Sequence, residues 1–267
     1  MTDFEKKYYE SNTFWDGEML QDENNQLRIK LTAELIPGNV KSLVDIGCGN
    51  GVFLNYLAKN KAYLDLLGVD RSETALSYVK TEKKVADITK LPFDDNSFDC
   101  VTCLEVIEHL PANVYEIALK ELTRISKKYV IISVPYNEKI EDSYTKCPSC
   151  LSIFNYELHL RSYLRNDMNN LLDNYSFKVS SIQTFGNVIK YWGHNLFVKI
   201  FYPKQLLKWN SPICPLCGFS EDKKNELFRS KPLLKRSIVS YFTSLPKLVW
   251  PKTKRHYWIM ALYQKSD

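Results

Sequence analysis

The sequence predicts an α/β protein built on a parallel, doubly wound sheet. Three observations carry that reading. Short apolar runs alternate with segments of helical periodicity from Ser42 to Val134. The first run ends in an acid and a glycine-dense turn, VDIGCGNG from Val44 to Gly51. Acids at Asp70 and Asp87 follow the next two runs, on the carboxyl edge where open sheets of this kind gather their ligands.

Taken in order, Glu23–Ile36 reads as an amphipathic helix with Leu27, Leu31 and Leu35 on one face, stopped by Pro37-Gly38. Ser42–Ile46 is the first strand, and a helix follows the glycine turn at Val52–Asn60. Leu64–Val69 is the second strand, and Ser72 caps a helix running to Lys80. Val85–Ile88 is the third strand and Cys100–Leu104 the fourth, joined by the turn-rich LPFDDNSFD. A helix begins after Pro111 and runs to Ile125. Tyr129–Val134 is the fifth strand, apolar and β-branched as a buried parallel strand should be. Asn166–Tyr175 reads as a helix, Phe177–Phe185 as a sixth strand and Tyr257–Tyr263 as a seventh.

Charge is unevenly placed along the 267 residues. Gly186 to His256 holds fourteen Lys/Arg against three Asp/Glu, within a chain of net charge +5. The same stretch carries Tyr191, Trp192, Phe197, Phe201, Tyr202, Trp209, Phe219, Phe228, Tyr241, Phe242 and Trp250. Such a composition suits an anionic partner, whether membrane surface, nucleic acid or phosphorylated substrate, or else a solvated face over a small core. The first residues, MTDFEKKYYE, show no apolar leader, and no run approaches a membrane span, so the expected location is cytoplasmic, with peripheral contact to an anionic membrane.

Of seven cysteines, Cys48, Cys100 and Cys103 lie in strand or turn patterns and read as small buried hydrophobes. Cys147-Pro-Ser-Cys150 and Cys214-Pro-Leu-Cys217 form two C-x-x-C pairs, which read as one structural four-thiolate zinc site or as separate redox pairs. Sixty-three residues separate them, a closure whose entropic cost grows only logarithmically with length. Three regions follow: 1–40, an N-terminal lid and first helix; 41–185 with 257–267, the core; and 186–256, a basic insertion tied to 147–150 by zinc.

VDIGCGNG and LPFDDNSFDCVTCLEVIEHL together resemble class I S-adenosylmethionine-dependent methyltransferases, in their small-molecule, type-11 and type-23-like branch. The resemblance covers about Tyr8–Phe185 and the final strand. It implies a Rossmann-like, seven-stranded sheet whose last strand inserts antiparallel between strands five and six, with the zinc-tied insertion between strands six and seven. It implies S-adenosylmethionine as cofactor, held by Asp45, Gly47, Cys48, Gly49, Gly51, Asp70, Arg71, Asp87, Ile88 and Leu104. The chemistry agrees. A carboxylate at Asp70 can accept both ribose hydroxyls, Asp87 can accept from the adenine amine, and Ile88 can cover the ring. A nicotinamide dinucleotide would also suit an acid after strand two, but GCGNG departs from G-x-G-x-x-G. Tyr8, Tyr9, Phe14 and Trp15 fall where the family folds a lid, within reach of Arg28.

Glu105, Glu108 and His109 of LEVIEHL, with His159 further on, are the catalytic candidates. His109 could be a general base. The set is also similar to the divalent-metal site of small-RNA 2′-O-methyltransferases and ubiquinone-pathway O-methyltransferases, in which a Mg²⁺ ion at Glu105, Glu108, His109 and His159 would acidify a hydroxyl. A supporting role behind the pocket is the third reading. His194 and His256 read as surface residues. The leading function is O-methylation of a small or lipid-linked metabolite, of glycan, quinone or natural-product type. An RNA methyltransferase and a non-catalytic cofactor-binding interaction protein are the alternatives.

Overall fold

The computed structural model describes residues 9–10, 15, 23–191, 214–219 and 252–266. The chain divides into two compact units. The larger comprises 9–138, 159–186 and 256–267, and the smaller 1–8, 139–158 and 187–255.

In the larger unit, β1 (Ser42–Ile46), β2 (Asp65–Asp70), β3 (Glu82–Val85), β4 (Phe98–Leu104), β5 (Ser126–Pro135), β8 (Phe177–Phe185) and β11 (Trp258–Lys265) form one sheet. Its order is β3-β2-β1-β4-β5-β11-β8, with β1 to β5 parallel and β11 antiparallel to both β5 and β8. The last strand thus inserts where the resemblance placed it. The helices α1 (Glu23–Leu35), α2 (Val52–Asn60), α3 (Glu73–Leu76), α4 (Ala112–Ile125) and α5 (Arg165–Asn170) complete this unit.

Strand alternation builds two cores. Val44, Val101, Val130 and Ile132 face one side with Leu119 and Leu122 of α4. Leu43, Cys100, Tyr129 and Ile131 face the other, with Leu54 and Leu57 of α2. Cys48, Cys100 and Cys103 are buried, as small hydrophobes should be.

Three expectations are corrected here. The buried face of α1 is Ile29, Thr32 and Ala33; Leu31 and Leu35 pack against the core as expected, while Leu27 is exposed. The third strand is Glu82–Val85 rather than Val85–Ile88. It is the sheet's outer strand and all four residues are exposed, so charge rather than apolar character marks it. The helix after Ser72 stops at Leu76, although Ser72 caps it as expected by accepting from the Ala75 N–H at 3.0 Å. Lys83 Nζ donates to the carbonyls of Leu76 and Val79, satisfying groups that further helix would have bonded.

In the smaller unit, β6 (Tyr144–Lys146) pairs antiparallel with β7 (Ile153–Asn155), and β9 (Val188–Tyr191) with β10 (Lys252–Arg255). No helix among the described residues is long and apolar enough to cross a membrane.

Candidate active site

The glycine turn between β1 and α2 is held from inside the larger unit. The N–H groups of Gly47 and Cys48 both donate to the Val69 carbonyl, at 2.7 and 3.0 Å. Gly47 has φ 74 and Gly49 φ 53, conformations that side chains resist, and a Cβ at Gly49 would stand 2.7 Å from the Trp15 ring. Tyr9 lies beneath the Arg71 guanidinium, 4.9 Å from ring centroid to carbon, and its carbonyl accepts from Trp15 and Ser72. Tyr9 and Trp15 therefore lie against the loops that follow β1 and β2, whereas Tyr8 and Phe14 fall outside the described residues.

Three carboxyl groups line the carboxyl edge of β1 to β3. Asp45 is buried and accepts from Thr102 Oγ1 at 2.6 Å. Burial pushes its carboxyl up to about 7, against that hydrogen bond and the Arg28 charge. Asp70 accepts from the N–H groups of Gly49 at 2.8 Å and Ser72 at 2.9 Å, and burial still raises it above the usual carboxylate range. Asp87 is exposed; burial is the largest single influence and raises it, but the two Thr89 hydrogen bonds and the Arg71 charge together outweigh it and lower the group. Ile88 packs beside it against the core, and Leu104 closes the end of β4.

LEVIEHL follows β4 as a short 3₁₀ turn at Ile107–His109. Two of its carboxyl groups have opposite surroundings. Glu105, in the left-handed region at φ 59, accepts from Ser133 Oγ and from the Trp258 indole N–H, both at 2.7 Å. Glu108 is fully buried, and neither carboxyl oxygen has a hydrogen-bond partner among the described residues. Burial, and then the charge of Glu105, raise it well above the usual carboxylate range.

His109 and His159 join Glu108 in a cluster whose ligating atoms lie within 4.8 Å of one another. Their rings are 4.8 Å apart, and His109 Nε2 is 3.9 Å from Glu108 Oε1. The backbone fixes this meeting. The Leu160 N–H donates to the Glu108 carbonyl at 2.9 Å, and Arg161 Nη1 donates to the carbonyls of Ile107 and Leu110. His159 is also bonded through Nδ1 to Glu138 Oε2 at 2.6 Å. Glu138, Ser133 and Trp258 were missed by the sequence reading, because only tertiary contact gives them a role. His256 is exposed and hydrogen-bonded to Thr184, and His194 lies outside the described residues.

The magnesium expectation does not fit these residues as they stand. The side chains that meet are two imidazoles and one carboxyl, a nitrogen-rich set that is a poor match for an ion that favours octahedral oxygen ligands. The cofactor expectation fits better. Asp70 spends two of about four acceptor positions on backbone, leaving capacity for a diol.

In the smaller unit the four cysteines expected to share zinc come together. Cys147 Sγ stands 3.6 Å from Cys217 Sγ, and Cys150 Sγ 3.8 Å from Cys214 Sγ. Zinc–sulfur bonds of about 2.3 Å in a tetrahedron give edges of about 3.8 Å, whereas a disulfide needs about 2.05 Å. The two turns repeat each other. Leu151 N donates to Cys147 O and Gly218 N to Cys214 O, and both donors are left-handed, at φ 62 and 70.

A family model described as a methyltransferase domain matches residues 44–133. The uncharacterized protein MJ0638 of Methanocaldococcus jannaschii is 31% identical over 158 residues, covering 56% of this chain and 67% of that protein. The solved structure of a S-adenosylmethionine-dependent methyltransferase from Archaeoglobus fulgidus shares the fold, with TM-score 0.52, 18% identity, and 93% and 97% of the two chains covered. The chain belongs to the class I S-adenosylmethionine-dependent methyltransferases. This methyltransferase is also similar to the ubiquinone biosynthesis O-methyltransferase of Coxiella burnetii, at 33% identity over 96 residues. That match covers 33% of this chain and 40% of the relative's length.

Proposed function

We propose that this methyltransferase transfers a methyl group to an oxygen of a small or lipid-linked metabolite. The observation that carries the reading is the cluster of Glu108 and His109, after the end of β4, with His159, in which Glu108 and His159 are buried and His109 is partly exposed. An oxygen nucleophile must lose a proton as it attacks, and imidazoles in a dry site serve that need. The O-methyltransferase name of the Coxiella relative supports the same acceptor atom. Bound S-adenosylmethionine supplies an electrophilic methyl on a sulfonium. Asp70 would hold its ribose, Asp87 and Ile88 its adenine, and the backbone of Gly47, Gly49 and Gly51 its methionine portion. Cys48, Arg71 and Leu104 would complete the wall, with Tyr9 and Trp15 covering it.

Calorimetry with S-adenosylmethionine tests the root of the proposal: absence of binding overturns it. Incubation of a metabolite extract with tritiated cofactor should then label a small molecule at oxygen. Label on RNA or on nitrogen alone would overturn the acceptor class. The fourteen basic residues of 186–256, most of them outside the described residues, would select an anionic or lipid-linked acceptor. Salt-sensitive binding to phosphatidylglycerol vesicles supports that part, and indifference to vesicles removes it.

The same proposal includes one structural zinc ion at Cys147, Cys150, Cys214 and Cys217. A fourfold thiolate set leaves no open position for catalysis. Elemental analysis should find about one zinc per chain, lost in a Cys147→Ser/Cys150→Ser double variant. Unchanged zinc in that variant overturns the assignment.

A further inference from the structure

We propose that Glu138 positions His159 as the residue that takes the acceptor's proton, with His109 beside it in a lesser role. This deepens the O-methylation reading and rests on it.

Glu138 lies in no motif. It comes to His159 because the loop after β5 is pinned. Tyr136 bridges to Tyr163, the Asn137 N–H donates to the Tyr163 carbonyl at 2.9 Å, and Asn137 itself is left-handed at φ 49. The Glu138–His159 contact is short, at 2.6 Å, and both side chains are nearly buried, at 11% and 7% exposure. A carboxylate accepting from Nδ1–H leaves the imidazole lone pair on Nε2, and it stabilises the imidazolium once a proton arrives. His109 is 23% exposed, and its Nε2 stands 3.9 Å from the Glu108 carboxyl, beyond hydrogen-bond reach. Two histidines of one cluster are thus unequal as bases.

The step balances simply. The acceptor O–H proton moves to His159 Nε2 while the oxygen forms a bond to the methyl carbon. The carbon–sulfur bond breaks and its electron pair stays on sulfur, leaving a neutral thioether. The His159 proton later leaves to solvent.

Two measurements on the full chain test this. The first is nitrogen-15 NMR of histidine-labelled protein, tractable because the sequence has four histidines. His159 should appear neutral, protonated on Nδ1 with a strongly downfield proton, and Glu138→Ala should abolish that signature. A His159 protonated on Nε2 overturns the proposal. The second is initial-rate transfer from tritiated S-adenosylmethionine to the small-molecule extract. His159→Ala should lower the rate by about 10²-fold or more, with cofactor affinity held within about twofold. Glu138→Gln should lower the rate at unchanged KM for the cofactor, Glu138→Asp should recover part of it, and His109→Ala should cost less than either His159→Ala or Glu138→Gln. Full rate in Glu138→Gln, or a larger loss in His109→Ala, overturns the assignment. The NMR signature without transfer to any oxygen would leave the pair standing and remove the function it serves.

Discussion

The walls proposed to face the cofactor and the acceptor of this methyltransferase treat their acids in opposite ways. Asp45, Asp70 and Asp87 each accept hydrogen bonds from their own surroundings: Thr102, the Gly49 and Ser72 backbone, and Thr89. Glu108, at the end of the neighbouring strand, is buried and accepts none among the described residues. The first arrangement organises a surface before its ligand arrives, which lowers the entropic cost of binding. The second keeps a polar group at a cost to stability, and such a cost persists where the group serves chemistry. Glu105 shows that the difference is local. Three residues from Glu108, each oxygen of its carboxylate accepts a hydrogen bond, from Ser133 and Trp258.

The contrast can be broken from either side. The largest effect is expected at Asp70. Asp70→Asn turns an amide toward one of two backbone donors, so cofactor affinity should fall by about 2–3 kcal/mol, roughly 30- to 150-fold. Calorimetry reads this directly, and a change below threefold would mean Asp70 does not organise the loop. Next comes Glu108→Leu. Removing an unsatisfied buried carboxyl should raise unfolding stability by about 1–3 kcal/mol while methyl transfer falls at least tenfold. A stability loss in urea unfolding would show that Glu108 has a partner in solution. The smallest effect concerns pH. Burial raises the Asp45 carboxyl from its unfolded value of 3.8 to about 7 in the fold. A raised carboxyl contributes stability that is fully present at low pH and lost as pH rises through about 7. The Tm of cofactor-free wild type relative to Asp45→Asn should therefore decline from about pH 4 to about pH 7 and level off above. A flat difference would place Asp45 in water.

Local signals were legible where burial enforces a period. Ser42–Ile46, Val52–Asn60 and Phe177–Phe185 are bounded as their patterns indicate. Glu82–Val85 was missed because an outer strand has no core to select its side chains, and the adjacent apolar VADI drew the assignment away. The α1 face was legible in part: Leu31 and Leu35 pack against the core, but the deepest positions are Ile29, Thr32 and Ala33, whose burial depends on what packs above them. At the site, the glycine turn and EVIEH were readable because their chemistry is contiguous. The partners that decide it, Glu138 for His159 and Trp258 for Glu105, lie 21 and 153 residues away and carry no local mark.

The antiparallel β11 has a consequence for the order of synthesis. Residues 258–265 close the facing edges of both β5 and β8. Until they leave the ribosome, two strands expose unpaired backbone, the condition that invites mispairing with other nascent chains. The glycine turn can form early, since β1, β2 and their helices precede. Trp258 reaches Glu105 only after every other strand of the sheet has been made. A growing chain would thus be able to cradle its cofactor before its acceptor edge was complete.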